Sequence, residues 1–132
     1  MKVYAVYQAP LRTADPDDTL ADAADRMAFF EVGALAVFDS SRMIGIITER
    51  DLIRAIAIGE ETTRTRVRDY MTAGPSAINL GDDLSEAAEM MVALGTRHLP
   101  VVERGEVVGM ISARDILNAT TVGEPSKGRK HA

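Results

Sequence analysis

The chain has no cysteine, so disulfide staples, thiolate zinc sites and cysteine nucleophiles are excluded. It has two histidines, His98 and His131, too few for a histidine-rich metal site. Positive charge is in deficit: 15 Lys and Arg stand against 20 Asp and Glu, a formal net charge of −5. That balance opposes general binding to DNA, RNA or an anionic membrane, while leaving room for a local basic pocket for a small anion. Long apolar runs are missing. The longest clear one, Ala34 to Phe38, falls far short of a bilayer span. Residues Met1 to Gln8 lack the apolar segment of a signal peptide, which makes the cytoplasm the expected compartment. Neither of the two glycine-rich phosphate-loop patterns, Gly-x-Gly-x-x-Gly and Gly-x-x-x-x-Gly-Lys-Ser/Thr, occurs. The acidic stretch Asp15 to Asp25 lacks the central glycine of a calcium loop and reads as a solvated helix start. What is left is an ordinary globular composition, 132 residues with 46% hydrophobic and 27% charged, long enough to bury a core unaided.

Against these absences stands one strong positive signal, an internal duplication. Gly45-Ile46-Ile47-Thr48-Glu49-Arg50-Asp51 recurs as Gly109-Met110-Ile111-Ser112-Ala113-Arg114-Asp115, a spacing of 64 residues. The same offset carries Leu20 to Leu84, Ala23 to Ala87, Met27 to Met91, Leu35 to Leu99, Val37 to Val101 and Ala55 to Ala119. In each copy a short extended segment (Leu11 to Ala14, Ser76 to Leu80) follows a proline. Acidic helix-start residues (Asp17-Asp18-Thr19, Gly81-Asp82-Asp83) and apolar positions at helical spacing come next. Two apolar runs joined by turn residues predict a hairpin: Ala34–Phe38 with Met43–Thr48, and His98–Val102 with Val107–Ser112. A second helix is expected from Glu49 to about Ala57 and from Ala113 to about Ala119. The copies are placed at 1–66, including a polar linker, and at 67–122, followed by a basic tail at 123–132 that is expected to be disordered.

A tandem βαββα unit whose apolar strand runs into Gly-x-Ile-Thr/Ser-x-Arg-Asp resembles the cystathionine β-synthase (CBS) domain pair, or Bateman module. Val67-Arg68-Asp69-Tyr70-Met71-Thr72, Pro16-Asp17-Asp18-Thr19-Leu20 and Arg97-His98-Leu99-Pro100-Val101-Val102 add to the likeness. The resemblance spans roughly residues 3 to 121. It implies an α+β fold of two repeats packed as a pseudo-twofold pair with two related clefts. It further implies adenine nucleotide ligands (AMP, ADP, ATP or NAD, or S-adenosylmethionine), with magnesium accompanying the phosphates, and a homodimer. The role implied is regulatory, exerted here in trans on a partner protein.

The resemblance assigns ribose recognition to Asp51 and Asp115 and phosphate recognition to Thr48 and Ser112. The chemistry is consistent: a helix N-terminus attracts phosphate, a hydroxyl adds a hydrogen bond, and Arg50 or Arg114 supplies charge and paired donors. A carboxylate accepts hydrogen bonds from two ribose hydroxyls. The same Ser/Thr-x-x-Asp pattern is also a helix capping box, and caps are common. Caps, however, need no arginine, and its retention in both copies favours binding. Arg97 and His98 precede a strand where the family often places a basic phosphate contact; copy one has Gly33 and Ala34 there, which predicts unequal sites. Thr13, Ala77 and Ile78 fall in the extended segments where the family holds the adenine edge through backbone groups, and they read equally as ordinary edge-strand residues.

No catalytic residue is expected, because no nucleophile–base pair or metal set emerges. The alternatives are an interaction scaffold with vestigial clefts, a small phosphohydrolase, and nucleic-acid binding through the tail lysines, the last opposed by the acidic body.

Overall fold

Helix starts, hairpins and caps recur at the same spacing as the sequence motifs. The structure is a computed structural model describing residues 1–122; the expected tail lies outside the described residues. The chain divides into two compact units: one is Pro10–Ser76, and the other joins Met1–Ala9 to the chain from Ala77 onward. The sequence copies meet at 66/67, so the division by repeat and the division by contact do not coincide.

In the first unit, β1 (Thr13–Ala14) lies parallel to β2 (Ala34–Asp39), β2 is antiparallel to β3 (Arg42–Thr48), and β3 to β4 (Thr72–Ala73). Helices α1 (Leu20–Phe30) and α2 (Glu49–Ile58) cover one face of this sheet. The other unit repeats the plan with β5 (Ile78–Asn79), α3 (Leu84–Leu94), β6 (His98–Glu103), β7 (Glu106–Ser112) and α4 (Ala113–Val122). The α+β class and the two repeats are as expected.

Local chemistry explains the element ends. Thr19 starts α1 by accepting from the Asp22 N–H, and the Asp22 carboxylate accepts the Thr19 N–H in return. Such a cap contributes about 1 kcal/mol. At the offset position the Asp83 N–H donates to Glu86 Oε1 at 3.0 Å, while the Glu86 N–H donates to the Asp83 backbone carbonyl at 3.0 Å. Leu20, Ala23 and Met27 then turn inward onto Leu35, Val37 and Ile47 of the sheet. Leu84, Ala87 and Met91 meet Leu99, Val101 and Ile111 in the second unit. Each fully buried Leu or Ile contributes about 1.5–3 kcal/mol.

The two first strands differ by one position, and prolines account for it. The Ala36 N–H donates to the Arg12 carbonyl. Its counterpart Pro100 has no N–H, so pairing in the second unit begins one residue later, with Ile78 opposite Val101. That ladder then runs further, because the Leu80 N–H reaches the Val102 carbonyl, a bond that Pro16 cannot make in the first unit.

The segments before each repeat are ordered, and each closes a sheet. Val67–Asp69 forms a 3-10 turn with Val67 fully buried, and Thr72 pairs with Ile46. At the offset position Val3–Ala5 forms the same turn with Val3 fully buried, and Gln8 pairs with Met110. The opening nine residues thus stand in the second unit as residues 67–73 stand in the first.

Candidate functional site

The motif residues gather where each hairpin runs into its second helix. Residue Thr48 is the N-cap of α2. Its hydroxyl accepts from the Asp51 N–H at 3.3 Å, and its own N–H donates to Asp51 Oδ2 at 2.8 Å. The hydroxyl also donates to Oδ2 at 3.0 Å. The other oxygen, Oδ1, is held at 2.6 Å by Arg54 Nη2 from the next turn of the helix. Asp51 is only 4% exposed, the one buried charged side chain among the described residues. A buried carboxylate left without partners would cost several kcal/mol, so this bonding is a condition of the fold.

At the second junction the Ser112 N–H donates to Asp115 Oδ2 at 2.8 Å, and the Asp115 N–H donates to the Ser112 hydroxyl at 3.1 Å. Here Oδ1 accepts from a different donor, Nε2 of Gln8, at 2.9 Å. The helix start is tied down further by the Ala113 N–H, which donates to the Arg97 carbonyl at 2.8 Å; Glu49 and Gly33 make the corresponding bond at 3.0 Å. His98 is paired directly across the hairpin with Ser112, as Ala34 is with Thr48. Arg97, His98, Ser112 and Asp115 therefore share one junction. Its counterpart has Gly33 and Ala34 in place of the first two.

Arg50 and Arg114 project from the first turns of α2 and α4, exposed and without an ion pair among the described residues. Both are available to an incoming anion. Thr13 sits in β1, opposite Ala36, and its carbonyl accepts from Arg26 at 2.9 Å; no hydrogen bond joins it to Thr48 or Asp51. Ala77 precedes β5, and the Ile78 side chain is buried in the core, leaving only its backbone to meet a ligand. Among the described residues no cluster of His, Asp and Glu could hold a metal ion, and no helix is long and apolar enough to cross a membrane.

Sequence reasoning missed Arg54 and Gln8, the residues that fill the second oxygen of each aspartate. Arg54 carried a readable signal, since a residue three positions along a helix shares a face with Asp51. Gln8 carried none, because it lies 107 residues from Asp115.

Comparison with known proteins extends the reading. The CBS domain family model matches residues 3–58 and 67–121, both repeats. A 17.7 kDa protein from Acidianus ambivalens, uncharacterized, is 32% identical over 120 residues, covering 89% of this chain and 72% of that protein. The mitochondrial CBS domain-containing protein CBSX3 of Arabidopsis thaliana is 35% identical over 109 residues, 78% of this chain, and the chain spans only 53% of its length. Among solved structures, a protein with CBS domains from Burkholderia ambifaria MC40-6 superposes with a TM-score of 0.89 at 28% identity, covering 95% of each chain. The CBS domain protein PAE2072 of Pyrobaculum aerophilum, solved in complex with AMP, gives 0.80 at 25% identity, covering 87% of this chain and 89% of that one. With both of its repeats matched, the chain belongs to the CBS domain family.

Proposed function

We propose that the chain is a non-catalytic regulatory module that binds an adenine nucleotide at its strand-to-helix junctions and signals to a partner protein in trans. The observation that carries this reading is the recurrence, at Asp51 and Asp115, of a carboxylate beside a hydroxyl at the helix start, with an unpaired arginine next to it. A diol meets the carboxylate, and phosphates meet Thr48 with Arg50 or Ser112 with Arg114. The AMP complex of the Pyrobaculum relative supports the ligand class. Arg97 and His98 add donors at the second junction, while Thr13, Ala77 and Ile78 offer backbone groups to a base. Magnesium accompanies the phosphates, and a homodimer in the cytoplasm is the working form. Binding produces a signal only through different affinities for two states of the module.

One observation favours a second reading, an interaction scaffold. Both oxygens of Asp51 and of Asp115 are already hydrogen-bonded within the chain, which is what a purely structural cap requires. Thermal melts with AMP, ADP, ATP, NAD and S-adenosylmethionine, with and without magnesium, separate the two. A ligand at 100 times its dissociation constant stabilises by about 2.7 kcal/mol, several degrees in Tm for a domain of this size. A shift lost in Asp51→Asn or Asp115→Asn supports the sensor; no shift with any of the five leaves the scaffold.

A further inference from the structure

The two junctions share the same pair of capping hydrogen bonds and differ in what occupies Oδ1 of the aspartate. In the first unit the occupant is Arg54, a charged donor at 2.6 Å, on a carboxylate that is 4% exposed. In the second it is the neutral amide of Gln8 at 2.9 Å, on a carboxylate that is half-buried. The repeat carries Asn118 where the first has Arg54, and Asn118 makes no hydrogen bond to Asp115.

We infer that Arg54 is a selectivity residue that keeps the Asp51 junction closed to a nucleotide, so that the Asp115 junction fills first and sets the affinity of the chain. The inference rests on the nucleotide reading above. A ribose diol arriving at Asp115 exchanges one neutral donor, the Gln8 amide, for two neutral hydroxyls, and the carboxylate stays satisfied throughout. At Asp51 the same diol must displace a guanidinium. Charge-assisted hydrogen bonds are roughly twice as strong as neutral ones, and a buried carboxylate loses its cation in the exchange. The Arg54 side chain is 57% exposed, so its far end has room to move aside once its hold is broken. The preference of Asp115 is reinforced by Arg97, which has no cationic counterpart at Gly33.

The test is isothermal titration of the full chain with AMP, with circular dichroism melts confirming that each variant folds. The wild-type chain binds AMP at one tight site, and Asp115→Asn weakens that event at least tenfold. Arg54→Asn, which installs the residue of the second repeat, adds a second event at least tenfold tighter than any wild-type binding beyond the first. The added event survives in Arg54→Asn/Asp115→Asn and disappears in Arg54→Asn/Asp51→Asn. Arg54→Gln repeats the gain if the asparagine variant is unstable. A gain is distinctive, because removing a cation should by itself weaken binding of an anion. A tight event that survives Asp115→Asn, or an unchanged stoichiometry in both Arg54 variants, overturns the inference while leaving the nucleotide reading intact. No heat with AMP in any of these proteins overturns the inference, and the nucleotide reading falls with it only when none of the other four ligands shifts the Tm.

Discussion

Tyr7 lies directly over Gly109: a β-carbon at position 109 would stand 2.6 Å from the tyrosine ring and 2.3 Å from the Gln8 carbonyl. Gly45 is closed in the same way by Met71, with the sulfur 2.7 Å and the Thr72 carbonyl 2.8 Å from the corresponding point. Both glycines are present because another segment passes too close for any side chain. Both glycines face a backbone carbonyl, but it stands at 2.3 Å for position 109 against 2.8 Å for position 45, and the Met71 side chain yields more readily than the Tyr7 ring. Gly109→Ala is therefore expected to cost about 3 kcal/mol and Gly45→Ala about 2 kcal/mol. Urea unfolding of both variants measures the difference, and equal costs would reject the argument.

The ends of α1 and α3 give a second comparison. Gly95 terminates α3 at φ +67°, while Glu31 terminates α1 at φ +56°. A left-handed conformation costs a residue with a β-carbon about 1 kcal/mol or more, partly offset by the extra chain entropy of glycine. Glu31→Gly is expected to stabilise by about 0.5 kcal/mol, and Gly95→Ala to destabilise by about 1 kcal/mol, read from thermal midpoints.

Acid stability depends on helix starts. Hydrogen bonds from Thr19 hold the Asp22 carboxyl below its ordinary 3.8, and Lys2 does the same for Asp83. Groups lowered on folding stabilise above their unfolded pKa, and that contribution is lost as pH falls through the folded value. The Tm is therefore expected to be level above about pH 5 and to fall below pH 4. Asp22→Asn with Asp83→Asn should flatten that limb. Lys2 is raised above 10.5 by Asp83, so its share persists below that value and is lost only at more alkaline pH. Both carboxylates are exposed, and 1 M salt should weaken the Lys2–Asp83 part.

Deleting residues 1–8 removes the buried Val3 and the backbone pair between Gln8 and Met110. The expected loss is about 3–5 kcal/mol. It should fall on the second unit alone, and amide exchange would show β7 amides losing protection while those of β3 keep theirs. Uniform loss in both units would contradict the division described above.

Much of this was legible in the chain. The 64-residue offset placed both hairpins and all four helices, because each is written in local spacing and local caps. Boundaries moved where the determinant was not local. The strands extend to Asp39 and Glu103 because the turns tighten to Ser40-Ser41 and Arg104-Gly105. Helix α4 runs to Val122, beyond the expected Ala119. The one-residue shift between β1 and β5 depends on Pro100 having no N–H to donate where Ala36 donates in the first unit, which only the register reveals. The capping geometry of Thr48 and Ser112 was readable from a three-residue spacing. The donor that completes Asp115 was not, since Gln8 lies 107 residues away and meets it only when the two segments of the second unit come together.

The composition of the second unit, first nine residues plus the chain from Ala77, has a consequence during synthesis. Pro10–Ser76 is uninterrupted, so it can finish folding once it has left the ribosome, at about 5–20 residues per second. Its counterpart cannot. Val3-Tyr4-Ala5-Val6-Tyr7 emerges ahead of that unit and must wait, unpaired and apolar, until β7 has been made. The delay hardly weakens the finished protein, since doubling a loop adds only about 0.6 kcal/mol to its closure. It does fix the order of maturation: a segment translated ahead of Pro10–Ser76 finds its place only after the whole of that unit has been made.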